Sequence, residues 1–275
     1  MGTIVTRDAV KIAVLAALVG CAAPDALQPT SLMAQAATVQ AARTTAAKPT
    51  IVLVHGAFAD ASGWQTVITQ LQQDGYKVVA VQNPLTSLPN DVETTRRLID
   101  AQTGPVVVVA HSYGGAVISG AAAGNPNVTA LVYIAALAPD ANEVLGPLLN
   151  QYPTPVLTKF VPDAAGFLYI DYAAYPLLFA PDLPRKQAEA MAVAQKPLNG
   201  AAFTQTNPAA AWRTIPSWFM VAQQDSIINP DLERFFAKRM HARTTEIKSS
   251  HAVLLSHPLA VTKLIREAAG EARGS

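Results

Sequence analysis

Residues 110–114 (AHSYG) place a serine where an apolar run changes abruptly into a run of small residues. The apolar run, 105–110, is typical of a buried strand, and the residues after the serine are typical of a helix. A sharp turn between a strand and a helix lifts a serine hydroxyl above the sheet, where it can attack a carbonyl carbon. Such a turn has room only for small residues two positions before and after the serine, and Ala110 and Gly114 meet this requirement. Ser112 is therefore the predicted nucleophile, and an ordinary strand-to-helix turn is the alternative interpretation.

A loop that stabilises an oxyanion is expected upstream of such a serine. Residues 50–54 form another apolar run, and the sequence HGAF follows it directly. We expect the flexible Gly56 to let a backbone N–H turn toward the reacting carbonyl. The predicted donors are the backbone amides of Ala57 and Tyr113. A glycine after a strand is also common in ordinary turns, so this loop supports the assignment only together with Ser112.

An acidic residue is expected downstream of the serine. Residues 217–222 form a further apolar run, and Asp225 follows it, at the end of the strand where sites gather in an open parallel sheet. Asp225 is the predicted acid. Asp231 competes with it, but Asp231 follows an Asn-Pro pair at a predicted helix start, where a carboxylate stabilises the free N–H groups. Asp140 and Glu143, just beyond the fourth predicted strand, are a second alternative.

The predicted general base is His251, which follows the short β-like run 244–248 on a loop that can reach back over the serine. One other histidine precedes a proline at a predicted helix start, and one closes a predicted helix, where it interacts with the carboxyl end. Two more adjoin the predicted site and are better placed to support its loops than to carry protons. These four are His257, His241, His55 and His111.

Taken together, these motifs resemble the α/β-hydrolase superfamily, and within it the branch of plant methylesterases and hydroxynitrile lyases with their bacterial esterase relatives. The resemblance extends from about residue 50 to residue 269, although 140–212 matches only in composition and position. Its more specific motifs are HGAF at 55–58, AHSYG at 110–114, DSII at 225–228 and HAVLLSHP at 251–258. The resemblance implies a serine hydrolase, and more specifically a carboxylesterase that uses a Ser-His-Asp triad and an acyl-enzyme intermediate.

Two other functions stay open at this point. One is a lyase that uses the same three residues, and the other is a ligand-binding protein that has the fold without catalysis. In the hydroxynitrile lyases of this branch, a lysine follows the base and stabilises departing cyanide, whereas this chain has Ala252 there. An apolar residue at this position favours a neutral ester as substrate.

The order of strand-like and helix-like runs predicts an α/β fold, with a mainly parallel six-stranded sheet and helices on both faces. Ser62 and Gln65 have the spacing of a capping box at the start of the first helix, and Asn90 and Glu93 have the same spacing at the start of the second. The predicted strands are 50–55, 77–82, 105–110, 128–135, 216–222 and 244–248, and the predicted helices are about 62–73, 90–102, 113–124, 230–241 and 257–270.

The segment from about 140 to 212 is too long to be a structureless loop, and we expect it to form a helical cap over Ser112. Many of the aromatic residues of the chain lie there: Phe160, Phe167, Tyr169, Tyr172, Tyr175, Phe179 and Phe203. They predict a mainly apolar pocket and therefore a small apolar ester as substrate.

Composition agrees with one enzyme domain. With 275 residues, of which 51% are hydrophobic, the chain can bury a large core. A net charge of +1 argues against binding to nucleic acid, which favours a basic surface. No cluster of cysteine and histidine has metal-binding spacing and no glycine-rich phosphate loop is present, so we expect no metal and no cofactor.

The amino terminus resembles a bacterial lipoprotein signal. Two basic residues precede the apolar run 12–20, which is too short to span a bilayer and ends at Cys21, the chain's single cysteine. The prediction is an export signal over 1–21 with lipidation of Cys21 and a periplasmic or cell-envelope location. The alternative is plain secretion with cleavage after Ala36. Residues 22–49 are predicted to be a flexible tether, followed by the hydrolase domain at 50–275.

Overall fold

The computed structural model describes residues 48–271. The predicted export signal at 1–21, including Cys21, and the alternative cleavage site at Ala36 lie outside the described residues, as does nearly all of the predicted tether. Among the helices in the described part of the chain, none is long and apolar enough to cross a membrane.

The fold is built around a six-stranded sheet in the order β2-β1-β3-β4-β8-β9, in which every neighbouring pair is parallel. In chain order the strands are β1 (Thr50–Val54), β2 (Val78–Val81), β3 (Val106–His111), β4 (Val128–Ile134), β5 (Phe160–Pro162), β6 (Phe167–Ile170), β7 (Leu198–Asn199), β8 (Ser217–Ala222) and β9 (Arg243–Ile247). The predicted sheet is therefore confirmed, with strand bounds within one residue of those expected.

Helices cover both faces of this sheet. In chain order they are α1 (Gln65–Gln73), α2 (Leu88–Asp100), α3 (Gly114–Ala121), α4 (Leu145–Gln151), α5 (Tyr175–Leu178), α6 (Arg185–Ala194), α7 (Pro230–Arg239), α8 (Val253–Ser256) and α9 (Pro258–Glu271). Apolar side chains of α2, α3 and α7 pack on one face, and those of α1 and α9 pack on the other. Because both faces are covered, the central strands β1 and β3 are buried along their whole length and are rich in valine and isoleucine.

The second helix begins earlier than the sequence predicted. Ser87, not Asn90, is its N-cap, and the Ser87 hydroxyl accepts a hydrogen bond from the Asn90 backbone N–H at 3.3 Å. Leu88 and a proline then form the first helical positions, where the missing N–H of proline costs no hydrogen bond. Asp91 consequently lies inside the first turn, where it is fully buried.

The long segment between β4 and β8 combines helices α4, α5 and α6 with a three-stranded antiparallel sheet in the order β5-β6-β7. The sequence predicted helices here but not this sheet. Asp163 forms the turn between β5 and β6, because its Oδ1 accepts hydrogen bonds from the backbone N–H groups of Ala165 (2.8 Å) and Phe167 (2.9 Å). Gly166, with φ of 82°, completes the turn in a conformation that suits glycine.

A glycine in α3 provides a test of how closely the helix packs above the sheet. A Cβ atom on Gly115 would lie 2.2 Å from the Leu137 carbonyl oxygen, so Gly115→Ala forces the backbone to shift. We expect the free energy of unfolding to fall by roughly 1–3 kcal/mol in urea titrations. Gly270→Ala on α9 is the matched control, because a Cβ there meets nothing within 4 Å. Equal stability of the two variants would contradict the packing described here.

Candidate active site

Ser112 lies on the turn between β3 and α3 and has a φ of 57°, a left-handed conformation that is unfavourable for serine. Close packing holds it there. A Cβ on Gly56 would lie 2.5 Å from the Ser112 Cβ, and a Cβ on Gly114 would lie 2.7 Å from the His55 carbonyl oxygen. The Ser112 backbone N–H also donates to the Ile134 carbonyl oxygen at 3.2 Å. The turn therefore needs a glycine two positions after the serine, as its sequence suggested, and a glycine on the neighbouring loop after β1.

The loop after β1 has a different reason for its glycine than the one expected. Positive φ in this loop occurs at Phe58, at 60°, and not at Gly56. Gly56 is needed because Ser112 approaches its Cα so closely that no side chain fits. Space, not backbone freedom, explains glycine at this position.

Ser112, His251 and Asp225 form one continuous chain of hydrogen bonds. The Ser112 Oγ lies 2.9 Å from the His251 Nε2, and the His251 Nδ1 lies 2.5 Å from the Asp225 Oδ2. The side chains of His251 and Asp225 are both 0% exposed. Burial strengthens these hydrogen bonds, because water does not compete for their donors and acceptors.

The Asp225 carboxylate is oriented by the loop that follows β8. Its Oδ1 accepts hydrogen bonds from the backbone N–H groups of Ile227, at 2.6 Å, and Ile228, at 3.0 Å. These two donors occupy Oδ1 and leave Oδ2 directed at His251. The arrangement fixes which oxygen meets the imidazole.

The predicted oxyanion donors, the backbone amides of Ala57 and Tyr113, both border a small cavity beside Ser112. Within residues 48–271, neither amide donates a hydrogen bond to another protein group. Asp91 anchors the Tyr113 side chain, because the Tyr113 Oη donates a hydrogen bond to the Asp91 Oδ2 at 2.8 Å. The Leu85 backbone N–H donates to the Asp91 Oδ1 at 2.8 Å, and burial raises the pKa of Asp91. Asp91 thus supports one of the two predicted donors, a role that its sequence position did not indicate.

Two further histidines support the loops of the site. The His55 Nε2 accepts a hydrogen bond from the Asn83 backbone N–H at 3.0 Å, so its Nδ1 carries the proton that is donated to the Gly56 carbonyl oxygen at 2.7 Å. Burial lowers the pKa of His55 to about 4, so the ring is neutral at pH 7. The His111 Nε2 lies 2.8 Å from the His251 carbonyl oxygen and steadies the loop that holds His251.

The alternative acidic residues form ion pairs with arginines away from Ser112. Asp231 accepts a hydrogen bond from Arg234 at 2.8 Å, and its side chain is 73% exposed. Asp140 pairs with Arg213, and Glu143 pairs with Arg239. Of the alternative histidines, His257 contacts the Ser256 hydroxyl at 2.9 Å and His241 follows the end of α7 with φ of 52°. The structure brings none of these side chains to Ser112.

The segment between β4 and β8 fastens the loop that carries His251. The Phe179 carbonyl oxygen accepts a hydrogen bond from the Ala252 backbone N–H at 3.1 Å, and the Phe179 ring meets the His251 ring edge-on with centroids 4.8 Å apart. The Asp182 Oδ2 accepts hydrogen bonds from the Ser250 backbone N–H (2.9 Å) and the Ser249 hydroxyl (3.1 Å). Phe179 was predicted only as one of the aromatic residues of the cap, and Asp182 was not predicted as a site residue, although the serine pair before His251 was a usable signal of a carboxylate partner.

Two cavities adjoin the site. The smaller one, of about 30 Å³, opens beside Ser112 and has a mainly apolar wall. The larger one, of about 260 Å³, is bordered by His111 and Ala252. Tyr175 stands at the edge of the larger cavity, where its Oη donates to the Phe58 carbonyl oxygen at 3.1 Å. In the described part of the chain, no group of three or more His, Cys, Asp or Glu residues is arranged to hold a metal ion.

Comparison with known proteins agrees with this architecture. The chain is 29% identical over 249 residues to alpha/beta hydrolase nvfD of Aspergillus novofumigatus, a match that covers 82% of this chain and 98% of that protein. Among solved structures, a pyrethroid hydrolase from Sphingobium faniae JZ-2 superposes with a TM-score of 0.70 at 21% identity, covering 81% of this chain and 97% of that one. Polyneuridine aldehyde esterase superposes with a TM-score of 0.70 at 18% identity, covering 80% of this chain and 99% of that one.

These two structures share the fold with this chain, as expected from the predicted resemblance. The sequence profile described as the alpha/beta hydrolase family matches residues 51–264, which is most of the chain. The protein is therefore a member of the alpha/beta hydrolase family.

Proposed function

We propose that this protein is a serine hydrolase that cleaves carboxylic esters, with Ser112 as nucleophile, His251 as general base and Asp225 as the acid that orients the base. The observation that carries the proposal is the buried hydrogen-bond chain from Ser112 through His251 to Asp225. A serine is a weak nucleophile unless an adjacent base takes its proton as it attacks. The 2.9 Å contact between Ser112 Oγ and His251 Nε2 is within the range for that proton transfer.

In the proposed reaction, the Ser112 Oγ attacks the ester carbonyl carbon while His251 Nε2 takes the hydroxyl proton. The Ala57 and Tyr113 amides donate to the oxyanion of the tetrahedral intermediate. When the intermediate collapses, His251 returns the proton to the departing alcohol and leaves an acyl group on Ser112. Water then attacks the acyl group with His251 again as base, which releases the acid and restores the serine hydroxyl.

The small cavity beside Ser112 supports a short, apolar acyl group as its occupant. Its volume is about 30 Å³, and its wall includes Leu137, Leu149, Val156, Phe160, Phe203 and Ile228. Apolar groups gain free energy from burial against such a wall, whereas a charged acyl group would lose its hydration without a partner. Substrates with a few acyl carbons therefore suit the site best.

We expect hydrolysis of p-nitrophenyl esters to depend strongly on acyl length. The value of kcat/KM for the acetate or butyrate should exceed that for the decanoate by about tenfold or more, because extra methylenes find no space in the small cavity. Leu157→Ala, which widens the small cavity near the protein surface, should raise the relative rate with the longer ester. A decanoate that reacts faster than the butyrate in the unmodified enzyme would contradict this account of the cavity.

A second assay, of cyanide release from mandelonitrile, separates hydrolase from lyase. Ala252 is buried and borders the larger cavity together with Leu254 and Leu255, and no lysine or arginine lines either cavity in the part of the chain that the structure describes. Departing cyanide would therefore meet no cation. Mandelonitrile should release no cyanide above the uncatalysed rate, and efficient release without ester turnover would overturn the hydrolase proposal.

We also propose that the protein is exported and tethered to a membrane through lipidated Cys21, which lies outside the described residues. The mature protein should then partition into a detergent phase, and Cys21→Ser should remain unprocessed or become soluble. Mass spectrometry of the mature amino terminus checks the alternative. A terminus at Ala37 would show plain secretion and reject lipidation.

A further inference from the structure

A buried carboxyl group that the proposed reaction does not use lies behind Asp225. Glu233, on α7, is 0% exposed. Its Oε2 accepts a hydrogen bond from the Ala222 backbone N–H at 3.0 Å, and the Ala222 carbonyl oxygen accepts one from the Asp225 backbone N–H at 3.1 Å. The last residue of β8 therefore anchors both acidic residues, which places Glu233 directly behind Asp225.

The charged groups that face Glu233 do not balance a second negative charge. Asp225 faces it from the loop after β8, and His251 lies beyond Asp225. On α7 itself, Arg234 interacts with Glu233 only weakly, because its guanidinium is partly exposed and forms an ion pair with Glu246 at 2.7 Å. A charged Glu233 would thus be buried beside a like charge.

Both of these effects favour the neutral form. Burial, and after it the negative charge of Asp225, raises the pKa of Glu233 well above its ordinary range. A neutral carboxyl group has an O–H that needs an acceptor when it is buried. Within residues 48–271, the Glu233 Oε1 receives no hydrogen bond from an N–H or hydroxyl donor. If the Glu233 Oε1 carries the proton, its O–H is a donor, and the neighbouring Asp225 carboxylate is an acceptor for it.

We propose that Glu233 is a positioning residue: as a neutral carboxylic acid it donates a hydrogen bond to the Asp225 carboxylate and holds that carboxylate against His251. This inference rests on the function proposed above, in which Asp225 orients His251. The donated hydrogen bond also withdraws negative charge from Asp225. It therefore limits how strongly Asp225 stabilises the protonated form of His251, which is inactive as a base.

Two substitutions at this position test the proposal. Glu233→Gln keeps an acceptor for the Ala222 N–H and an N–H₂ donor for Asp225, but it cannot ionise. We expect it to retain the kcat and the acid limb of the kcat/KM profile of the unmodified enzyme. Glu233→Ala removes the donor, so kcat should fall by up to about 10²-fold with little change in KM, since the imidazole is less well placed. Its acid limb should move to higher pH, because Asp225 then presents its full charge to His251.

The direction of these shifts decides between the proposal and its alternatives. If Glu233 carries a negative charge, Glu233→Gln removes that charge and its acid limb moves to lower pH, which overturns the proposal. If Glu233 only fills space, Glu233→Ala unfolds at lower urea concentration but keeps an unchanged pH profile, which overturns it as well. Glu246→Gln is the matched control, because Glu246 lies at the surface and binds Arg234. It should leave the pH profile unchanged.

Infrared difference spectroscopy gives a readout that does not depend on catalysis. At neutral pH, the unmodified protein minus Glu233→Gln should show the carbonyl stretching band of a protonated carboxylic acid. Absence of the band overturns the inference even if esters are hydrolysed. Presence of the band without any ester turnover would instead retain the neutral Glu233 and reject the proposed hydrolase function.

Discussion

Replacing Ser112 by alanine is expected to reduce kcat for ester hydrolysis by roughly 10⁶-fold while the protein remains folded, because the proposed acyl intermediate forms on the Ser112 hydroxyl. The hydroxyl oxygen lies 2.9 Å from the His251 Nε2, and the alanine variant leaves the imidazole with nothing to deprotonate except water. Residual activity over the uncatalysed rate would come from the Ala57 and Tyr113 amides and from substrate binding alone.

A fluorophosphonate reagent measures the same property without a substrate. The unmodified protein should be labelled rapidly on Ser112, and Ser112→Ala should not be labelled, because only a serine next to a general base reacts quickly. Peptide mapping of the labelled protein identifies the residue. Labelling at a different serine would contradict the assignment of Ser112.

The matched control is Ser119→Ala, on the helix that follows Ser112. Ser119 is buried and its Oγ contacts the Gly115 carbonyl oxygen at 2.8 Å and the Tyr133 Oη at 3.0 Å. Its loss should reduce stability somewhat and leave kcat within the range of the unmodified enzyme. If Ser112→Ala and Ser119→Ala had equal ester hydrolysis rates, the proposed nucleophile would be wrong.

Much of this arrangement could be predicted from the sequence because local patterns determine it. The strands β1, β3 and β8 are buried on both faces and therefore appear as uninterrupted apolar runs. In a parallel sheet the carboxyl ends of such strands share one edge, so Ser112 and Asp225, each just beyond a run, had to be near one another. The structure places them there, with His251 between them.

What the sequence did not show depends on tertiary packing. Asp91 looks like an ordinary acidic residue in the first turn of a helix, and only the fold shows that it lies buried beneath the Tyr113 hydroxyl. Glu233 lies between Leu232 and Arg234 on an amphipathic helix, and its burial depends on the position of β8 relative to α7. The strands of the sheet β5-β6-β7 are two to four residues long, and runs as short as these give no clear periodicity.

Replacing Asp225 by asparagine should reduce kcat by roughly 10⁴-fold with the fold intact, because the substitution selects the wrong tautomer of His251. The side-chain oxygen of asparagine must accept the hydrogen bonds from Ile227 and Ile228 that Oδ1 accepts now, at 2.6 and 3.0 Å. The amide nitrogen would then occupy the place of Oδ2 and donate to the His251 Nδ1. With Nδ1 as acceptor, the ring proton moves to Nε2 and points at Ser112, so the imidazole can no longer take the serine proton.

Asp231→Asn is the control that separates this effect from a general loss of negative charge. Asp231 lies six positions further on and is exposed, and it pairs with Arg234 on the surface of α7. Its replacement should leave kcat near that of the unmodified enzyme, because an exposed pair of this kind contributes little to stability and none of its atoms reaches His251. Near-normal esterase activity in Asp225→Asn would reject Asp225 as the acid. A large loss in Asp231→Asn alone would give that role to the competing carboxylate, and the buried contact at His251 Nδ1 would then need another explanation.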